Sequence, residues 1–186
     1  MNTTKLTLKT YWQHAWKYPR YVVPVIAIVP FATVLYRIIP PLIAASVISR
    51  LAAHDYTPGS FWSSFGGEIL AYAGIIAFAG IGLYRLDLFL VWKLETYVNR
   101  DLLRTMFNKY MLLDASFHAD NFGVSLVSRA NKLVTSYIRL ADTLIFQMLP
   151  MIASFIAVLV ITFPKSPAYA VGFLAFTLLF VTATFI

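Results

Sequence analysis

The stretch from Glu68 to Leu113 decides the fold; it reads EILAYAGIIAFAGIGLYRLDLFLVWKLETYVNRDLLRTMFNKYMLL. Its first part is apolar and rich in small residues, whereas from Arg85 onward hydrophobic residues recur at helical spacing among many charges. No glycine or proline lies between Arg85 and Leu113, so we predict one continuous helix. At about 1.5 Å per residue this helix is roughly 70 Å long. Since the hydrocarbon core of a bilayer is about 30 Å thick, more than half of the helix must stand outside it.

The composition of the chain is that of an integral membrane protein. Of the 186 residues, 60% are hydrophobic and only 12% are charged, against about half and about a quarter in soluble domains. The chain has no cysteine, which excludes disulfides and thiolate metal sites. The placement of its formal net charge of +7 points to membrane orientation, so we expect the lipid bilayer as a partner and no nucleic acid.

Four apolar segments predict membrane spans near residues 21–48, 66–92, 143–163 and 168–186. The first apolar run is too long for a cleavable signal peptide, so we expect it to stay as an anchor, kinked by Pro24, Pro30, Pro40 and Pro41. Before it, residues 1–20 predict an interfacial elbow helix, with lysines beside an apolar stripe of Leu8, Tyr11, Trp12, Ala15 and Trp16. Residues 50–67 carry turn formers and predict a loop.

A second long helix is predicted over Val124–Phe163, charged in its first half and apolar in its second. Positions spaced by three and four residues predict a packing seam along it: Val127, Ala130, Val134, Tyr137, Ala141, Leu144 and Met148. Between the two long helices the helical pattern breaks. Asp114 or Ser116 can cap a short helix over residues 116–122, which Gly123 can end.

Lysine and arginine are concentrated on one side of these spans. The N-terminal arm and the segment 93–142 carry most of them, whereas the other side has mainly Arg50 and Lys165. Because cytoplasmic loops are enriched in these residues, we expect a multi-pass protein of the cell membrane with a cytoplasmic N-terminus and an intracellular loop over residues 93–142.

The predicted fold class is therefore all-α, with polytopic transmembrane helices whose long cytoplasmic extensions carry a short helix at their tips. Such a hairpin can serve as a lever on which a soluble partner acts. It can equally be a cytoplasmic hairpin that only folds back on itself, and the geometry allows both interpretations.

The region around the tip resembles a known family. The run LLRTMFNKYMLLD from Leu102 to Asp114 is followed by Phe117-His118, by Asn121-Phe-Gly123 and by Ser128-Arg129. In this order and spacing the motifs resemble the first intracellular loop of type I ABC exporters, and the resemblance covers nearly the whole chain. It implies the ABC type I exporter fold, here incomplete, because half-transporters of that family have six spanning helices followed by a cytoplasmic ATPase domain.

The resemblance also implies a function and partners. The chain would be a membrane-spanning subunit of an ATP-driven exporter, forming part of the substrate pathway and pairing with a second transporter half as a homodimer or heterodimer. Residues 116–122 are similar to the first coupling helix, which docks on an ATP-binding domain; the implied contacts are Ser116, Phe117, His118, Asn121, Phe122 and Gly123. ATP and Mg²⁺ are expected for the full transporter, and no cofactor is expected in this chain.

One feature departs from the family, because the sequence has no G-x-x-x-x-G-K-[ST] phosphate-binding loop. The full-length protein is expected to hydrolyse ATP as a translocase, but this chain carries no ATPase motif. We therefore expect the ATP-binding domain either downstream in cis, beyond a truncation at Ile186, or on a separate chain.

Arg37 interrupts the first apolar run, and Glu68 begins the apolar part of the second span. Arg37 and Glu68 lie at similar heights in the first two spans, judged by their distances from the cytoplasmic ends. Since a charge in that region is costly unless it is paired or hydrated, we predict that they form an intramembrane pair or line the substrate path. Three histidines, His14, His54 and His118, are far apart along the chain, so we expect no metal site.

Two functions from other classes stay open. One is a small four-span membrane scaffold or assembly protein without transport activity. The other is a membrane-bound enzyme, although no acid–base or metal constellation supports it. The sequence determines neither the transported substrate nor the direction of transport, so lipid, drug, peptide and siderophore all stay open.

Overall fold

The computed structural model describes residues 3–57, 59–113 and 123–184, and within these ranges the fold is all-helical, without a strand. The helices are α1 (Thr3–Ala15), α2 (Pro19–Arg37), α3 (Ile39–Ala52), α4 (Phe61–Ile75), α5 (Tyr84–Met111), α6 (Gly123–Asp142), α7 (Leu149–Thr162) and α8 (Pro167–Thr184). Two π-helical segments join helices without a break, Ile76–Leu83 between α4 and α5 and Thr143–Met148 between α6 and α7.

Four helical stretches are long and apolar enough to cross a membrane: Pro19–Ala52, Phe61–Met111, Leu126–Thr162 and Pro167–Thr184. Each contains most of one predicted span. In the most apolar windows of the third and fourth stretches only 6% of the residues are buried. Helices that are apolar all round and uncovered by the rest of the chain are typical of membrane spans, because lipid can cover them.

The prediction of one long second helix is confirmed, since the helical backbone is continuous over the 51 residues Phe61–Met111. It begins earlier than predicted, so the loop predicted over residues 50–67 is confined to 53–60. Ser60 lies directly before this start, and its carbonyl oxygen accepts hydrogen bonds from the hydroxyls of Ser63 and Ser64 at 3.0 and 3.1 Å. The turn character of the loop is confirmed by the left-handed backbone of His54 and Gly59.

The prolines of the first span have unequal effects. Pro24 and Pro30 lie inside α2, which runs through both without a break. The helix is interrupted only at Ile38, directly before Pro40 and Pro41 in the first turn of α3. Proline is tolerated in a first turn because the N–H groups there lack intrahelical acceptors in any case.

The chain divides into two compact units, Met1–Val29 with Ile81–Leu149 and Pro30–Gly80 with Pro150–Ile186. The first unit has an apolar core to which α1, α2, α5 and α6 contribute. Its buried residues are Tyr11, Val22, Val25, Val29, Val91, Leu94, Val98, Leu102, Tyr137, Ala141 and Ile145. On each long helix these positions follow spacings of three and four residues, so one face of every helix meets the core.

The predicted seam on the second long helix is correct for only part of its members. Ala130, Tyr137 and Ala141 are buried and Val134 packs partly against the core, whereas Val127, Leu144 and Met148 are 49%, 42% and 42% exposed. Leu126 and Ile145 take inward positions instead. The predicted seam assumed an average repeat of about 3.5 residues, but a straight helix has about 3.6, and the π-helical segment takes in still more residues per turn.

The second unit has its own contacts. In it α3 packs on α4, where Phe65 is only 1% exposed and its ring lies 5.6 Å from that of Phe61. Farther along the chain, the Phe155 ring of α7 lies 5.5 Å from the Phe173 ring of α8.

Candidate functional site

The predicted docking segment lies largely outside the described residues. This holds for Ser116, Phe117, His118, Asn121 and Phe122, so their predicted contacts stay predictions. Gly123 is described as the first residue of α6. The segment is thus flanked directly by the end of α5 and the start of α6, the charged halves of the two long helices.

The described residues next to this segment form an apolar surface that we call the α5 tip. Its members are Phe107, Met111, Leu112 and Leu113, which are 51%, 80%, 85% and 42% exposed. The adjoining part of α5 carries Arg104 and Lys109, so lipid is a poor environment for it. Exposed apolar patches outside lipid usually mark contact surfaces for other proteins. The sequence shows these leucines, but their exposure could be established only from the structure.

The predicted pair of Arg37 and Glu68 is not formed. Glu68 pairs with Arg50 at the end of α3, whereas the Arg37 Nε donates to the hydroxyl of the adjacent Tyr36 at 2.9 Å. Arg37 lies about 20 Å before Arg50 along the helix, at about 1.5 Å per residue. Arg50 is therefore closer than Arg37 to the loop that connects α3 with α4. Its side chain lies within reach of Glu68 on α4. The assignment of Arg37 to a substrate path stays a prediction.

Arg50 is the centre of a small polar cluster on α3 and α4. Its guanidinium lies 3.7 Å from Asp55, and its Cζ lies 5.2 Å from the centroid of the Phe65 ring. The side chains of Arg50 and Glu68 are 33% and 28% exposed. Such partly solvated ion pairs contribute little to stability. The cluster links the end of α3 to α4 and, through Asp55, to the loop between them.

A row of polar side chains on α5 was missed by the sequence analysis. Asp87, Glu95 and Asn99 lie at helical spacing on one face, and each has a buried side-chain oxygen without a hydrogen-bond partner among the described residues. Asp87 is only 4% exposed. A buried carboxylate is costly unless it is protonated or hydrated. Glu95 also shares a side-chain hydrogen bond with Asp142 of α6, so its carboxyl group is not wholly unpaired.

The elbow helix α1 presents two different faces. Tyr11 is buried, donates from its hydroxyl to the Leu133 carbonyl oxygen at 2.8 Å and packs edge-to-face on Tyr137 at 5.5 Å. Burial raises the pKa of Tyr11 above its ordinary value. Trp12, on α1, and Trp16, directly after it, are exposed and stack on each other at 5.3 Å. The predicted apolar stripe is thus split between residues that pack on the protein and residues that are exposed.

No protein-family model, curated protein or solved structure matches the chain. Its four apolar helices are compatible with a multi-pass membrane protein.

Proposed function

We propose that the chain is part of the membrane-spanning subunit of an ATP-driven exporter of the type I ABC class. The observation that carries the proposal is the length of its second and third spanning stretches, Phe61–Met111 and Leu126–Thr162. At about 1.5 Å per residue their contour lengths are roughly 75 and 55 Å, against about 30 Å of hydrocarbon. A protein that only anchors itself in a membrane has no need of helices that continue so far beyond it.

The charged halves of these helices pack against each other. Val91, Leu94, Val98 and Leu102 on α5 pack into the same core as Tyr137 and Ala141 on α6. A load applied to the segment between the two helices is therefore shared by both, because their packed faces resist separation. This arrangement supports the function of a lever between a soluble domain and the membrane spans.

The α5 tip supports the presence of a protein partner next to residues 116–122. In the proposal this partner is an ATP-binding domain, either in cis or on a separate chain, and it supplies the ATP and Mg²⁺ site. Arg37 would then belong to the substrate path, a second transporter half would complete the cavity, and the N-terminus would be cytoplasmic.

The test is site-specific photo-crosslinking in cells that carry the complete reading frame and its neighbouring genes. A photoreactive amino acid replaces Leu112 in the α5 tip, where the wild-type side chain is 85% exposed. The matched control is the same replacement at Leu70, which is 68% exposed but lies in the apolar part of the same continuous helix. Crosslinked peptides are then identified by mass spectrometry.

The proposal expects adducts at position 112, and not at position 70, with peptides from a domain that contains the phosphate-binding loop motif. Addition of a non-hydrolysable ATP analogue should change the yield, because the docked domain closes on nucleotide. Adducts at both positions in equal yield, or adducts at 112 only with non-ATPase proteins, would favour the membrane scaffold and contradict the exporter.

A further inference from the structure

A cavity of about 340 Å³ lies at the junction of α1 and α2 and is lined by Lys17, Tyr18, Pro19, Arg20 and Tyr97. Ligand cavities in proteins typically have about 300–1,000 Å³, so the volume suits a small charged group. All of the lining residues belong to the first compact unit.

The aromatic wall of the cavity is fixed by stacking. The ring of Tyr97 stacks on those of Tyr18 and Tyr21, at centroid distances of 5.2 and 5.5 Å and at interplanar angles of 22° and 27°. The Tyr18 hydroxyl donates to Asp101 Oδ2 at 2.7 Å and accepts from Arg100 Nη2 at 3.2 Å. The hydrogen bond to the Asp101 carboxylate raises the pKa of Tyr18, so this hydroxyl stays neutral. The wall is therefore formed before any ligand arrives.

The charge at the cavity is positive. Asp101 already interacts with Tyr18 and with Arg100, whose Nη2 lies 3.4 Å from Oδ1. Neither Lys17 nor Arg20 forms an ion pair within the described part of the chain. Arg20 instead donates to the Tyr21 hydroxyl at 3.1 Å, with its Cζ 5.0 Å from the centroid of that ring. Lys17 also interacts with the Asp101 charge at longer range. Two cations without a contacting carboxylate at the mouth of the cavity nevertheless favour an anion with several acceptor oxygens.

The position of the cavity indicates the source of that anion. The first spanning helix begins at Pro19, and the stacked, exposed Trp12 and Trp16 lie at the end of α1 and directly after it. Tryptophan is enriched at the depth of the lipid headgroups, and juxtamembrane cations attract anionic lipids. We propose that this cavity binds the phosphate of an anionic phospholipid headgroup, with Lys17 and Arg20 on the phosphate oxygens and Tyr18 and Tyr97 as the wall. The proposal requires membrane insertion but not ATP-driven transport.

The test measures which lipid lies next to Trp12 and Trp16. The full chain, with Trp62→Phe and Trp92→Phe so that only these two tryptophans fluoresce, is reconstituted in phosphatidylcholine vesicles. A minor fraction of brominated phosphatidylglycerol or of brominated phosphatidylcholine is added, and the ratio of quenching by the two quenchers gives the preference for the anionic headgroup.

The variant Lys17→Gln/Arg20→Gln is compared with Lys5→Gln/Lys9→Gln, which removes the same charge from exposed positions of α1 away from the cavity. We expect wild-type protein and the Lys5/Lys9 variant to prefer phosphatidylglycerol. The Lys17/Arg20 variant should lose at least about fivefold more of this preference than the Lys5/Lys9 variant, because only Lys17 and Arg20 line the cavity. An equal loss in both variants, or none in the Lys17/Arg20 variant, would overturn the proposal.

Two further arms complete the test. Lys17→Arg/Arg20→Lys keeps both charges and should keep the preference, whereas loss of the preference at unchanged helical circular dichroism would overturn a charge-based site. Inorganic phosphate is compared with chloride at matched ionic strength. If phosphate abolishes the preference by competition in the wild type, and raises thermal stability equally in vesicles of phosphatidylcholine alone, the cavity is a site for free phosphate and the lipid proposal is wrong.

Discussion

Replacement of Tyr11 should release the elbow helix from the first unit by a predictable amount. Tyr11→Phe removes only the hydroxyl that donates to the Leu133 carbonyl oxygen at 2.8 Å. A net intramolecular hydrogen bond contributes about 0.5–1.5 kcal/mol, so local opening of α1 should become roughly fivefold more frequent. Tyr11→Ala also removes the buried ring and its edge-to-face contact with Tyr137. Because truncation of a buried aromatic ring costs about 3–5 kcal/mol, α1 should then be largely detached.

The assay is amide hydrogen exchange of α1 in detergent micelles, which reports the free energy of local opening. The control is Trp12→Ala, since Trp12 is the next residue of the same helix but is 60% exposed. Exchange in this control should change far less than in Tyr11→Ala, because Trp12→Ala removes only an exposed ring that stacks on Trp16. The reasoning is refuted if Tyr11→Ala exchanges no faster than Trp12→Ala, because α1 would then not be held by the contacts of Tyr11.

Three further results are expected. Ala130→Leu should destabilise the first unit by about 1–3 kcal/mol through overpacking, whereas Val127→Leu should change thermal stability by less than about 0.5 kcal/mol; equal effects would contradict the observed register of α6. Phe65→Ala should cost about 3–5 kcal/mol and Phe61→Ala far less, as measured by thermal unfolding, since Phe61 is 61% exposed. Because burial raises the pKa of Tyr11, its contribution to stability is complete below the ordinary tyrosine value of about 10 and is lost as the pH rises through the higher folded value. Tyr11→Phe should remove this pH dependence, and a slope that persists in the variant would assign it to another group.

The sequence was sufficient to predict the elements that depend on long patterns. The unbroken run after Arg85 predicted a continuous helix, and the four apolar blocks coincide with four helices able to span a membrane. The start of α4 was missed because Phe61 and Trp62 follow a cluster of turn formers and were interpreted as part of the loop. The local turn residues outweighed the apolar run in that interpretation, although serine is a favoured residue type directly before a helix, where Ser60 lies.

Features that depend on which side chains meet could not be predicted in the same way. The pairing of Glu68 with Arg50 depends on how α3 and α4 align across the loop between them. The sequence analysis compared only the distances of Arg37 and Glu68 from the predicted cytoplasmic ends of their spans, and these distances do not determine that alignment. Asp87 looks in sequence like one more charge of a solvated helix, yet it is 4% exposed. Asp87 lies four residues before Val91 and eight before Glu95, which places all three on one face of the helix. That spacing was the signal in the sequence that Asp87 could face the core. The cavity at Lys17 and Arg20 depends on Tyr97, far away in sequence, so no local motif could indicate it.

The three places where the backbone passes between the compact units share a mechanical property. Pro30 has no N–H to donate to the preceding turn of α2, Gly80 lies in the first π-helical segment, and Pro150 comes just after the second. Helices deviate from straightness at proline, where one backbone hydrogen bond is missing, and at π-helical turns, where the bonds shift to a wider spacing. The backbone therefore departs from the regular α-helical pattern at each of these three points, and bending the helix costs least where a regular bond is missing or displaced.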